Sequence, residues 1–279
     1  MREWWHRNVH RAALAALVAS TFAPPMSHSE PAAGASAGAS AEAVLDRLIE
    51  DSGSRLSPRV AEALARIDGT GRRLLALRSY LRSGDRLAER WSWTQQQIAE
   101  FEGSPEHREL TAEIDRVREA FTRDNPGFEL WVNPQVRSLD RQLESWNSND
   151  TVAAAAAGLA AAALELVNSP SFPAADPDRA RKALESLLAG HRPVPTPTVA
   201  APGLSPHGQM RAVDFQVHQG DRIVAGPRTA TIDTEWDAAG WSAKLDAAVR
   251  SASRRFVGPL ATPREPWHYT YSPEAVAAD

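Results

Sequence analysis

The chain has 279 residues, enough for one large domain or two small ones around a sizeable core. Hydrophobic residues make up 43% and charged residues 24%, the ordinary balance of a soluble globular protein, and a net charge of -4 with no Lys/Arg run lacks the basic stripe that nucleic acid requires. Cysteine is absent, which excludes disulfides, thiolate metal ligands and a Cys nucleophile, so any zinc site must use His, Asp or Glu.

The chain opens with positive charge at Arg2, His6, Arg7, His10 and Arg11. Ala12 to Ala23 is an apolar run too short to span a bilayer, followed by small residues with Ser27 and Ser29 at a cleavage spacing. This predicts a secretory signal peptide over residues 1–29, with an amphipathic first helix as the alternative. Residues 30–41 (EPAAGASAGASA) read as a flexible linker.

Residues 42–104 carry a helical pattern. Ala43, Leu45, Leu48 and Ile49 form one apolar stripe, and Leu74, Leu75, Leu77, Leu81 and Leu87 another, with Gly69 and Gly71 as breaks between helices. Ser104-Pro105-Glu106 predicts a helix start, and that helix runs to about Thr122.

Asn125-Pro126-Gly127 signals a turn, after which Phe128, Leu130 and Val132 alternate with Glu129 and Trp131 as in a strand. A helix is expected from Ser138 to Trp146. Asn149 or Asp150 caps an Ala-rich helix over Thr151–Val167, which is short for a membrane span and contains Glu165. Another helix follows from Pro177 to Ala189. Residues 191–203 contain Pro193, Pro195, Pro197 and Pro202 and read as an irregular surface connection.

From Arg211 to His218 the alternation sends Val213, Phe215 and Val217 to the core. Ala212, Asp214, Gln216 and His218 point the other way. Trp241–Ser253 is a helix, and Trp267, Tyr269 and Tyr271 alternate in a last strand.

Two stretches carry chemistry: Ser205-Pro-His207-Gly-Gln-Met-Arg-Ala-Val-Asp214, and Glu265-Pro-Trp-His268. A catalytic zinc needs three protein ligands and an open position. His207, Asp214 and His268 would supply two imidazoles and a carboxylate, and Glu265 is the candidate general base. On a regular strand, residues three apart face opposite sides, so Pro266 is expected to put Glu265 on a bend, turned back toward the metal. A single strand histidine is usually structural, and for His218 that reading prevails. Taken apart, His207 and His268 would read the same way.

Residues Ala201 to Phe215 resemble the S-x-H-x-x-G-x-A-x-D signature of the zinc D-alanyl-D-alanine carboxypeptidases and dipeptidases of the VanY and VanX type. Glu265-Pro-Trp267-His268 is similar to that family's E-x-W-H motif, and Leu130 to Gln142 to its strand followed by G-Y-R-S-x-x-x-Q. The three motifs stand in the family's order across roughly half the chain. The resemblance implies zinc (Zn2+) on His207, Asp214 and His268, Glu265 as catalytic base, and Arg137 as a catalytic and substrate-binding guanidinium. It also implies Ser205 as a substrate contact.

The implied fold class is α+β, a small antiparallel sheet with packed helices (DD-peptidase/hedgehog-like) over residues 105–279, preceded by the helical N-terminal region. The implied partners are peptidoglycan peptides in the periplasm or outside the cell, with no nucleic acid and no stable membrane span after signal cleavage. The rivals are a binding module of the same fold, a cross-link endopeptidase, and an envelope protein whose N-terminal helices do the main work. Met210 stands where the signature has glycine; if that glycine serves a positive φ or close packing, Met must adopt another backbone shape, and Gln135-Val136 replaces Gly-Tyr. Residues 42–104 match nothing in the family and read as a lid, a packing extension or a docking element.

Overall fold

The computed structural model describes residues 40–133 and 135–273; the expected signal peptide and nearly all of the linker lie outside the described residues. The described chain is α+β, with a helical layer and a small antiparallel sheet.

The first half is built from helices with well-formed starts. α1 (Ala41–Leu56) is capped by the Ser40 side chain, and α2 (Pro58–Ala65) by Ser57 with Pro58 in its first turn. α3 (Thr70–Ser83) follows Gly69, whose φ of 75° suits a residue without a Cβ. Gly71 is not a break: it lies inside α3. A Cβ there would stand 2.7 Å from the Ala156 carbonyl oxygen, so its role is to let two helices approach closely. α4 (Leu87–Arg90) and α5 (Gln95–Phe101) are short, and α5 begins with a capping box between Thr94 and Gln97. α6 (Pro105–Asp124) starts at Ser104, which accepts from the His107 N–H.

After β1 (Glu129–Val132), three helices return to the first layer: α7 (Leu139–Ser148), α8 (Asp150–Asn168) and α9 (Pro177–Gly190). Asn149 caps α8 by accepting from the Val152 N–H. By length and composition α8 is long and apolar enough to cross a membrane. Here its Val152, Ala155, Ala156, Leu159 and Ala163 are buried in a core shared with α1, α2, α3 and α9. That core runs from Leu45 to Leu204, so helices on both sides of residue 104 contribute to it.

The second core belongs to the sheet. β2 (Ala212–Gln219) is its centre, pairing with β1, with β3 (Arg222–Ala225) and with β5 (His268–Tyr271); β4 (Phe256–Val257) pairs with β5, and every pairing is antiparallel. Val213, Phe215 and Val217 turn inward with Leu130 and Tyr269, against α6 and α10 (Trp241–Ala252). Asp214, Gln216 and His218 lie on the opposite, half-buried face. β3, β4 and a π-type turn over Ile232–Asp237 had no counterpart in the sequence reading.

Candidate metal centre

The opposite face of the sheet is where the chemistry gathers. Asp214 on β2 and His268 on β5 are register partners, so their side chains leave adjacent strands on the same side. His268 Nδ1 stands 3.0 Å from Asp214 Oδ1. His207 arrives from the short 3-10 turn Pro206–Gln209 just before β2. Its Nε2 lies 3.3 Å from His268 Nδ1 and 3.4 Å from Asp214 Oδ2. The three ligand atoms fall within 4.8 Å of one another and could hold a metal ion.

Glu265 reaches the same point through a tight turn. The His268 N–H donates to the Glu265 carbonyl at 3.1 Å, and the Glu265 N–H donates to Leu260 at 2.9 Å. Pro266 and Trp267 occupy the middle of that turn. The chain therefore folds back, and Glu265 Oε2 comes to 3.6 Å from His268 Nδ1.

Arg137 completes the group. Its Nη2 donates to Asp214 Oδ2 at 3.1 Å, and its own N–H donates to the His207 carbonyl at 3.0 Å. The guanidinium stays partly open, 40% exposed against 17% for Asp214, so it can also meet a ligand in the cleft. Ser205 is buried in the wall beside His207, and its carbonyl accepts from the Gly208 N–H. All six residues line one cleft of about 840 Å³ between the sheet and the helical layer. His218 lies apart, with its ring stacked near Trp131.

Burial and charge set the protonation of the group. Burial pushes the His207 imidazole down to about 4; the neighbouring Arg137 and His268 push the same way, against Asp214. His207 is therefore neutral at pH 7, and its approach to Asp214 is not an ion pair. A neutral imidazole is the form that binds a metal. Burial alone would raise Asp214, but the His268 hydrogen bond and the electrostatic influence of the neighbouring His207, His268 and Arg137 hold it below the usual carboxylate range. Glu265 goes the other way: burial raises it, Asp214 adds to the rise, and His268 and Arg137 oppose it. Two carboxylates side by side thus have opposite tendencies, one a fixed anion and the other a proton carrier.

Met210 takes the glycine-like backbone itself. Its φ is 51° and ψ 26°, the left-handed region, and it is the one non-glycine residue at positive φ among the described residues. The Met210 side chain is buried in the sheet core, which holds the turn in place.

Sequence reasoning assigned no role to Gln142 and Ser92, which sit directly behind this turn, or to Gly208 within it. Gln142 stood in a quoted motif without a role. Comparison of the chain with family models, curated proteins and solved structures finds no match in any of the three.

Proposed function

We propose that this chain is an exported zinc peptidase of the D-alanyl-D-alanine carboxypeptidase type, acting on peptidoglycan stem or cross-link peptides. The observation that carries the reading is the convergence of His207, Asp214, His268, Glu265 and Arg137 at one point of one cleft. The donor chemistry favours zinc, because two imidazoles and a carboxylate with no sulfur suit it. The spacing is compatible with one ion, since one ligand atom from each of the three residues lies within 4.8 Å of the others. The small antiparallel sheet with helices on its core face is the arrangement the resemblance leads one to expect.

A zinc ion held by His207, Asp214 and His268 would supply Lewis acidity to water and to a peptide carbonyl. The chain's own residues do the rest. Glu265, with its raised affinity for a proton, takes one from the attacking water and returns it to the departing amine nitrogen. Arg137 offers a planar donor to a substrate carboxylate or to the developing oxyanion. Asp214, ionised throughout, keeps Arg137 aimed at the cleft. Ser205 forms part of the wall against which a peptide lies.

The test is digestion of purified peptidoglycan, read by mass spectrometry of the released peptides. Loss of a terminal residue from stem peptides supports the carboxypeptidase reading. Separation of cross-linked dimers supports the endopeptidase variant. No cleavage by a zinc-loaded chain that still binds peptidoglycan would leave a binding module in place of an enzyme.

A further inference from the structure

The turn that carries His207 is held from behind by a segment that no motif marks. Residues Glu89–Trp93, from the end of α4 into the link to α5, run alongside Gly203–Gln209. The Ser92 N–H donates to the Gly203 carbonyl at 2.8 Å, and the Trp93 N–H to the Gly208 carbonyl at 3.0 Å. In return, the Gln209 side-chain amide donates to the carbonyls of Glu89 at 2.7 Å and Trp91 at 2.9 Å.

Gln142 stands at the junction. Its Nε2 donates to Ser92 Oγ and to the Arg137 carbonyl, each at 2.8 Å, and its Oε1 accepts from the Gly203 N–H at 2.9 Å. One amide thus spends both donors and an acceptor on three separate segments. Gln142 is 4% exposed and Ser92 3%, so none of these bonds competes freely with water. The backbone of Arg137 is pinned at both ends, with its N–H on His207 and its carbonyl on Gln142. Gly208 leaves no slack: a Cβ there would lie 2.0 Å from Ser92 Oγ and 2.7 Å from Gln142 Nε2.

We propose that Gln142 and Ser92 are positioning residues of the metal centre. They set the register between the His207 turn and Arg137, and through Ser92 they make the helices of residues 42–104 part of the site. The inference rests on the metal reading above. A glutamate at 142 would keep the acceptor but lose both donors, turning a negative oxygen on the Arg137 carbonyl. An alanine at 208 would push the turn off Ser92. Removing the Ser92 side chain in the same molecule would make room again, leaving only the flexible end of Gln142 to give way.

The experiment uses the full chain with Ser92→Ala, Gln142→Glu, Gly208→Ala and the Ser92→Gly/Gly208→Ala pair. Zinc affinity is measured by chelator competition, the absorption spectrum is recorded with cobalt(II), and circular dichroism confirms folding. Gln142→Glu should weaken zinc by about 10- to 100-fold, the range for partners that orient metal ligands, and shift the cobalt spectrum. Gly208→Ala should lose affinity, and Ser92→Gly should restore most of it. Folded variants with the parent's affinity and spectrum would overturn the proposal, as would a Gly208→Ala loss that Ser92→Gly leaves unchanged. If Gln142→Glu does not fold, Ser92→Ala and the paired variants decide the matter alone. A parent chain that takes up neither metal would overturn the metal reading and this inference together.

Discussion

Asp214 and His268 face each other in register across β2 and β5, with Oδ1 and Nδ1 3.0 Å apart. The sheet, and not a loop, fixes the distance between two of the three proposed ligands. Asp214→Asn keeps the shape but removes the charge and puts a donor toward His268 or Arg137. Zinc affinity should fall by more than about 100-fold, beyond the loss seen for merely supporting partners, while the fold persists. Chelator competition on the variant measures this.

The His207 imidazole gives the metal-free protein a defined acid sensitivity. Its folded value, about 4, lies below the value of about 6.5 for an unfolded histidine. Between those values the unfolded chain binds the extra proton, so stability falls as pH drops from about 6.5 to about 4. The full effect is on the order of 3 kcal/mol at 1.36 kcal/mol per unit. Urea unfolding in chelator across that window should show a steeper pH dependence for the parent than for His207→Gln.

Glu265 is expected to trade stability for activity. Its folded value is raised by burial, so its contribution is present below the unfolded value and is lost as pH rises through the folded one. At pH 7 the metal-free protein holds a carboxylate that burial disfavours. Glu265→Gln should therefore unfold at a higher temperature than the parent without metal, and be inactive with it. Thermal scans in chelator check the first half.

Met210 should show the strain of its left-handed backbone once its side-chain packing is separated out. Met210→Ala loses buried contacts but keeps a Cβ at φ 51°. Met210→Gly loses slightly more packing but relieves the backbone, by about 1 kcal/mol. The glycine variant should be the more stable of the two in denaturant, the reverse of the usual order in regular structure.

Gly71→Ala tests the helix contact between α3 and α8. In an exposed helix the change would stabilise by about 1 kcal/mol. Here the new Cβ meets backbone, the Ala156 carbonyl oxygen at 2.7 Å, which cannot rotate away. Net destabilisation of about 1–3 kcal/mol is expected, the usual range for overpacking, read as a lower denaturant midpoint.

The legible parts of this fold were those whose cause is local. Ser104-Pro105 announces α6 because a cap and a proline act within one turn. The alternation around Phe215 announces β2 because a half-buried strand repeats every two residues. β3 and β4 were missed because four and two residues carry too little periodicity to stand out. The role of Gly71 was misread because its neighbour, Ala156, is far away in sequence. In the site, His207, Asp214, Glu265 and His268 stood out only as paired motifs, since each alone would read as structural; the structure adds that they meet in one cleft. The ties from Ser92 and Gln142 to Gly203 were not legible, since nothing in either segment alone requires the other. They also mean that removing residues 42–104 would disturb the His207 turn, so such a truncation cannot separate a structural role of the helices from a catalytic one.

The central claim is that one metal sits on His207, Asp214 and His268 and that Glu265 moves the proton. The most direct measurement is zinc content and peptide hydrolysis on the same preparations of parent and Glu265→Gln. One zinc per chain in both, with cleavage by the parent alone, is the predicted result. A parent without bound zinc, or a Glu265→Gln variant that cleaves as fast as the parent, would contradict it.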